Sequence, residues 1–252
     1  MNKIALITGA SAGIGYATAQ VFASHNWNVI ITGRRKEKLD QLKLALESKY
    51  GIEVLPLAFD IQHKESVNDV IDTLPEAWKN IDVLVNNAGL ALGKDGLQDG
   101  NIEDWETMID TNVKGLLYIT KAILPNMIKR NEGHIINLSS TAGKEVYPGG
   151  NVYCATKHAV EALTKSLRID VLPFNIKVSS VSPGLVETEF SKVRFKGDNS
   201  KADSVYKGFT PLYAEDVADA IYYVASRPPH VNIGDLLLTC TAQAHSTTVF
   251  KK

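Results

Sequence analysis

The sequence predicts an α/β protein built on a doubly wound parallel sheet of about seven strands, and three observations carry that expectation. Short apolar, β-branched runs alternate with longer stretches of helical period along the chain, the pattern of successive βαβ units. The first such run passes straight into a glycine-rich turn, as a strand does where it meets the helix of such a unit. No internal repeat, low-complexity tract or linker-like stretch breaks the alternation over 252 residues. One domain, 1–252, accommodates that length.

Taken in order, "KIALIT" reads as the first strand, with a helix from Tyr16. "NVIIT" follows with a helix from about Lys36, then "EVLPLAF" with one from about Lys64. "IDVLVNN" precedes a single long helix over Glu103 to Arg130, and "HIINLSS" one over Val152 to Val171. "IKVSSVS", a helix from Glu215 to Ser226 and "LLLT" complete the series. The regular spacing fails once, at residues 185–210, a polar stretch containing "KGDNSKADS" that is too long for a connection. It reads as a substrate lid, with a plain surface excursion as the alternative.

Composition narrows the function. The 27 basic and 28 acidic side chains set up no field toward nucleic acid or an anionic membrane. No run approaches the roughly 18 apolar residues that span a bilayer. The two cysteines, Cys154 and Cys240, make no multi-bridge framework, and the apolar stretch before Gly9 is too short for a signal peptide. The expectation is a soluble cytoplasmic protein acting on a small molecule. The six histidines are scattered without metal-ligand spacing, so no metal is expected.

"TGASAGIG" places Gly9, Gly13 and Gly15 at the first strand-to-helix turn. Glycines there let the backbone approach a pyrophosphate, and the helix N-terminus offers unpaired N–H donors. A tight βα loop has the same letters, and the spacing differs from G-x-G-x-x-G, so further residues must decide. After the second strand, where an NAD-binding fold places an acid, the chain has "TGRRKEK". Cations at a helix start are unfavourable. The guanidinium forks of Arg34 and Arg35 match a ribose 2′-phosphate, which favours NADP over NAD.

In "YCATK", Tyr153 and Lys157 stand one helical turn apart and share a face. An ammonium beside the phenol favours phenolate and suits Tyr153 to acid/base work. Asn112 sits in mid-helix, where its propensity is poor. It either holds a water relaying protons from Lys157 or marks a local irregularity.

These motifs, with "NNAG" at 86–89, "TNVKG", "SS" at 139–140 and "SPG" at 182–184, resemble the short-chain dehydrogenase/reductase family over nearly the whole chain. The resemblance implies a Rossmann-like fold and a catalytic set of Asn112, Ser140, Tyr153 and Lys157. Family spacing of thirteen residues before the tyrosine selects Ser140 over Ser139, with Ser139 turned toward the fold. For the cofactor it implies Gly9, Ser11, Ala12, Gly13, Ile14 and Gly15, then Asn87, Ala88 and Gly89. Pro183, Gly184, Val186 and Thr188 follow at the nicotinamide end, where Tyr153 and Lys157 also contact the cofactor. Asp60 resembles the residue contacting adenine, or equally caps the following helix. Ala12 stands where some NADP-dependent relatives carry a basic residue, which leaves the phosphate to Arg34 and Arg35.

The region from "SPGLVETEFSKVRFKGD" through "SVYKG" and the later stretch "VNIGDLLLTCTAQA" resemble a branch of NADP-dependent 3-hydroxy acid dehydrogenases acting on serine, allo-threonine and related compounds. Ser140 and Tyr153 then meet the substrate oxygen. Arg194 in the lid receives its carboxylate, although lid cations are also often merely solvated. A broad NADPH carbonyl reductase is the alternative activity, and a non-enzymatic NADP sensor the alternative class. The family also implies a homotetramer. Apolar residues on more than one face of the helices over 103–130 and 152–171 agree with that.

Overall fold

The computed structural model describes residues 2–252. Its nine strands are β1 (Ile4–Ile7), β2 (Asn28–Gly33), β3 (Val54–Ala58), β4 (Val83–Asn86), β5 (Gly133–Leu138), β6 (Ile176–Pro183), β7 (Val186–Glu187), β8 (Leu212–Tyr213) and β9 (Asp235–Leu238). Seven of them form one parallel sheet in the order β3-β2-β1-β4-β5-β6-β9, and these are the seven runs read from the sequence. The two-residue strands β7 and β8 pair with each other in a separate small parallel sheet.

Parallel neighbours require crossovers, and helices supply them. Alternation along each strand feeds two cores, with Ala5 and Ile7 of β1 on one face and Ile4 and Leu6 on the other. The first face is covered by α1 (Gly13–Ser24), α2 (Lys36–Tyr50) and α9 (Ala214–Ala225), through Phe22, Leu42 and Ile221. The second is covered by α3 (Lys64–Asp72), α5 (Leu116–Arg130) and α6 (Asn151–Asp170), with α4 (Ile102–Ile109) packed on α6. The strand order reverses between β1 and β4, which opens a crevice at their carboxyl ends, the usual ligand position in such sheets.

The helix expected over 103–130 is two helices, α4 and α5, joined by one wide π-type turn over Asp110–Gly115. Two tertiary contacts account for the break. Asn112 bonds to the backbone of Leu90, and Gly115 lies so close to Ile61 that a methyl there would stand 2.8 Å from Cγ2. The segment 185–210 contains β7 and two short helices, α7 (Phe190–Arg194) and α8 (Asn199–Ser204), with Gly197 at φ +88° between them. Among the described residues, no helix is long and apolar enough to cross a membrane.

Candidate active site

A cleft of about 970 Å³ lies over the carboxyl ends of the strands, with the 185–210 segment as one wall. It begins at the turn after β1. Gly9 and Gly13 have positive φ, +68° and +54°, and a methyl on Gly9 would stand 3.0 Å from Ala88 Cα and Asn87 Nδ2. Glycine therefore keeps the turn flat against β4. Asn87 clamps it, donating from Nδ2 to Thr8 O at 2.7 Å and Gly9 O at 3.3 Å. The Asn87 amide thus serves the turn as well as facing the cleft. Gly15 does not line the cleft. It packs behind the turn, where a methyl would collide with Asn87 Nδ2 and stand 2.5 Å from Gly9 O. α1 starts from Ala12 with no side-chain cap, which leaves its first amides open toward the cleft. Uncapped amides and a flat glycine turn fit a pyrophosphate.

Arg34 and Arg35 follow β2 as the sequence indicated, and both reach carboxylates of the chain itself. Arg34 Nη1 stands 3.6 Å from Asp60 Oδ2. Arg35 donates to Ser11 Oγ from Nε and Nη2, at 3.2 and 3.1 Å, and from Nη1 to Glu189 Oε2 at 3.0 Å. Lys38, unremarked in the sequence, reaches the other oxygen, Glu189 Oε1, at 3.3 Å. Asp60 does not cap α3. Its Oδ1 accepts from Gln62 N at 3.0 Å in a turn before the helix, whose cap is His63.

At the other end, Ser140, Tyr153 and Lys157 converge. Ser140 Oγ accepts from Ala142 N at 3.1 Å and lies 3.5 Å from Pro183 O. That second distance is at the limit for a hydrogen bond, so the hydroxyl proton is available to a ligand oxygen. Ser139 is buried and turned into the fold beside Gly143. Tyr153 and Lys157 are 8% and 6% exposed. Lys157 Nζ donates to Leu138 O at 2.8 Å. Burial pushes its pKa down to about 8, and the Glu161 carboxylate one turn further along α6 opposes that shift.

Tyr153 departs from the expectation of a lowered pKa. Burial and the neighbouring Tyr147 push it up, and the pull of Ser140 and Arg194 in the other direction is smaller. Burial thus favours the protonated phenol, and Lys157, on the same face of α6, directs Nζ to Leu138 O. Asn112 does not line the cleft. Its Oδ1 accepts from Leu90 N at 2.9 Å, and its Nδ2 donates to Leu90 O and to Thr156 Oγ1. Asn112 sits in the irregular turn over Asp110–Gly115. A methyl on Gly89 would stand 3.2 Å from Asn112 Oδ1 and 3.5 Å from Lys157 Nζ.

Arg194 ends α7 and turns into the cleft. Nε donates to Gly93 O at 3.1 Å and Nη1 to Tyr147 Oη at 2.9 Å, while its guanidinium carbon lies 5.4 and 5.6 Å from the ring centres of Tyr147 and Tyr153. Nη2 is buried and meets no acceptor among the described residues. Phe190, at the start of α7, packs on the Tyr153 ring.

Sequence reasoning missed Tyr147, Glu161, Lys38, Glu189 and Gln243. Gln243 comes from the C-terminal hairpin, and its Oε1 accepts from Leu185 N at 2.8 Å. Glu161 is buried, accepts from Ser180 and Ser182 at 2.9 and 3.0 Å, and pairs with Lys144 at 2.6 Å. Its place four residues after Lys157 was the one signal the sequence carried.

A glycine-turn nucleotide cradle, with a buried tyrosine and lysine and a half-buried serine at the far end of one cleft, defines a dehydrogenase site on a doubly wound sheet. The chain belongs to the short chain dehydrogenase family, whose model matches residues 3–199. Among individual proteins it is similar to the NADP-dependent 3-hydroxy acid dehydrogenase of Salmonella typhi, at 47% identity over 242 residues, 96% of each chain. It is 46% identical to sulfoacetaldehyde reductase 2 of Chromohalobacter salexigens, covering 98% of this chain and 97% of that one. A solved structure, the closed form of serine dehydrogenase complexed with NADP+, superposes with a TM-score of 0.92 at 44% identity over 99% of both chains.

Proposed function

We propose that the protein is an NADP-dependent dehydrogenase acting on the hydroxyl-bearing carbon of a small 3-hydroxy acid, of the serine, allo-threonine or 3-hydroxypropionate type. The observation that carries the substrate class is Arg194 Nη2, a buried donor without an acceptor, on a guanidinium beside Tyr153. An unmatched buried donor is costly. A substrate carboxylate whose carbon lies two bonds from the reacting carbon would satisfy it. The names of the similar proteins support the same reading, and the relative named for sulfoacetaldehyde shows how close a sulfonate substrate lies to a carboxylate one.

NADP is favoured by the cations after β2 and by Ser11 beside them. Gly9, Ala12, Gly13 and Ile14 would hold the pyrophosphate, Arg34 and Arg35 the 2′-phosphate, and Asp60 the adenine edge. Asn87, Ala88 and Gly89 would line the ribose, and Pro183, Gly184, Val186 and Thr188 the nicotinamide end, all of them lining the cleft. When bound, the nicotinamide supplies or accepts the hydride.

The chain's own residues handle the proton. In reduction, Tyr153 Oη gives its proton to the carbonyl oxygen, and the raised pKa of the phenol keeps that proton in place until it is needed. Ser140 Oγ donates to the same oxygen and stabilises its developing charge. In oxidation, the phenolate form of Tyr153 takes the proton of the substrate hydroxyl, and a relay through a bridging water, Lys157 and Asn112 would carry it onward, the water being needed because Lys157 Nζ is bonded to Leu138 O. The 185–210 segment closes over the substrate as a lid within the single domain.

The protein is proposed to work as a cytoplasmic homotetramer. Ala155, Ala162 and Ile169 form an exposed stripe at seven-residue spacing on α6, and Leu117 is exposed on α5. Helix packing between subunits covers such a stripe. Comparing kcat/KM for 3-hydroxy acids with that for carboxylate-free secondary alcohols, both with NADP+, tests the activity. Equal values would favour the broad carbonyl reductase.

A further inference from the structure

Glu189 immediately precedes α7, at its N-cap, and its two carboxylate oxygens are divided between two cations. Oε2 accepts from Arg35 at 3.0 Å and Oε1 from Lys38 at 3.3 Å. Arg35 in turn holds Ser11 of the glycine turn. Cations on one side, a glycine-turn hydroxyl beside them and an acceptor bridging both make a built anion position, filled by the chain's own carboxylate. Burial alone would raise the pKa of Glu189, yet its hydrogen bonds to Arg35 and Lys38 outweigh that and keep it ionised.

The position lies within the same cleft that Arg34 and Asp60 border. Asp60 faces Arg34, so the acids opposed to the basic cluster are Asp60 from the β3 end and Glu189 from the α7 start. Lys36 is turned away and pairs with Asp40. Of the two acids, only Glu189 shares both of its oxygens between cations.

We propose that Glu189 stands in for the 2′-phosphate of NADP(H), and that the phosphate displaces it from Arg35 and Lys38. The inference rests on the NADP reading above and adds two residues to it. Lys38 becomes a contact for the phosphate, and Glu189 a specificity-determining residue acting through those cations. A phosphate dianion replaces one carboxylate on two cations without leaving either unpaired. A cofactor that ends in a 2′-hydroxyl leaves Glu189 where it is. The exchange also frees the front of α7, the helix that carries Arg194 at its other end.

The test is direct binding of NADPH and NADH to the full chain, read by fluorescence titration without substrate, for the unaltered protein, Glu189→Gln and Lys38→Met. Both positions are partly exposed surface sites, so the variants should fold. Glu189→Gln should tighten NADPH by roughly two- to fivefold at low salt, the size expected of a partly exposed charge pair, and leave NADH unchanged. Lys38→Met should weaken NADPH by a similar factor and leave NADH unchanged. Looser NADPH binding by Glu189→Gln would overturn the proposal, because Glu189 would then be orienting Arg35 rather than occupying its anion position. Equal shifts for both cofactors, or none for NADPH, would overturn it as well. If the unaltered protein bound NADH as tightly as NADPH, the NADP reading would fall first and this inference with it. A preference for NADPH that neither variant alters would sink the inference alone.

Discussion

Replacing Arg194 with alanine separates substrate recognition from lid structure, because the side chain has three distinct nitrogens in three settings. Nε is bound to Gly93 O and Nη1 to Tyr147 Oη, whereas Nη2 is the buried donor with no acceptor. Removing a charge-assisted bond from Nη2 to a substrate carboxylate costs about 1.5–3 kcal/mol, or roughly 10- to 150-fold in kcat/KM. A neutral secondary alcohol lacks that bond. It shares with the carboxylate substrate only the loss of the two bonds that Nε and Nη1 make to Gly93 O and Tyr147 Oη, so the ratio of the two losses in kcat/KM reports the Nη2 bond alone. Steady-state rates with NADP+ for 3-hydroxypropionate and a carboxylate-free alcohol of similar size give both numbers. Arg194→Lys should fall between, since a lysine keeps the charge and loses the fork. If Arg194→Ala lowers both substrates by the same factor, the residue serves lid closure alone and the carboxylate assignment is wrong.

Other substitutions probe the remaining parts of the cleft. Tyr153→Phe should remove most turnover, about 10²–10⁴-fold for a lost acid/base group, with NADPH affinity near normal by titration; retained turnover across several pH values would refute the role. Glu161→Gln should shift the alkaline limb of the kcat/KM profile to lower pH. Lys157 is already pushed down to about 8 by burial, Glu161 is the charge that opposes the shift, and without it the ammonium is lost sooner as pH rises. An unmoved limb would mean that Lys157 does not set it. Arg34→Ala with Arg35→Ala should weaken NADPH far more than NADH, and equal losses would remove the 2′-phosphate from that site. Gly9→Ala should destabilise the fold by about 1–2 kcal/mol for its left-handed backbone and weaken both cofactors, measured by thermal melts and titration.

The elements most open to sequence reasoning were those set by short-range pattern. Each sheet strand is a brief apolar run, and a buried strand needs little else. The residues of "TGASAGIG" and "YCATK" are also local, so their spacing alone places them on a turn and on one helix face. The helix over 103–130 was misread because its apolar period continues through 110–115, and nothing local reveals that Asn112 turns to Leu90 or that Gly115 meets Ile61. Asp60 was ambiguous for a related reason. Its turn with Gln62 and its approach to Arg34 use different oxygens, and the choice depends on where β2 ends beside β3.

The sequence by itself determined the sheet, the glycine turn, the pairing of Tyr153 with Lys157 on one helix face, and the family, because each follows from residue type and spacing along the chain. Only the tertiary structure decided the charges in the cleft. Glu189 meets Arg35 and Lys38 from more than 150 positions away, Arg194 meets Gly93 and Tyr147 across the cleft, and burial holds the proton on Tyr153. Coulombic attraction and desolvation depend on distance in space and on exclusion of water, and neither is set until distant segments have packed together.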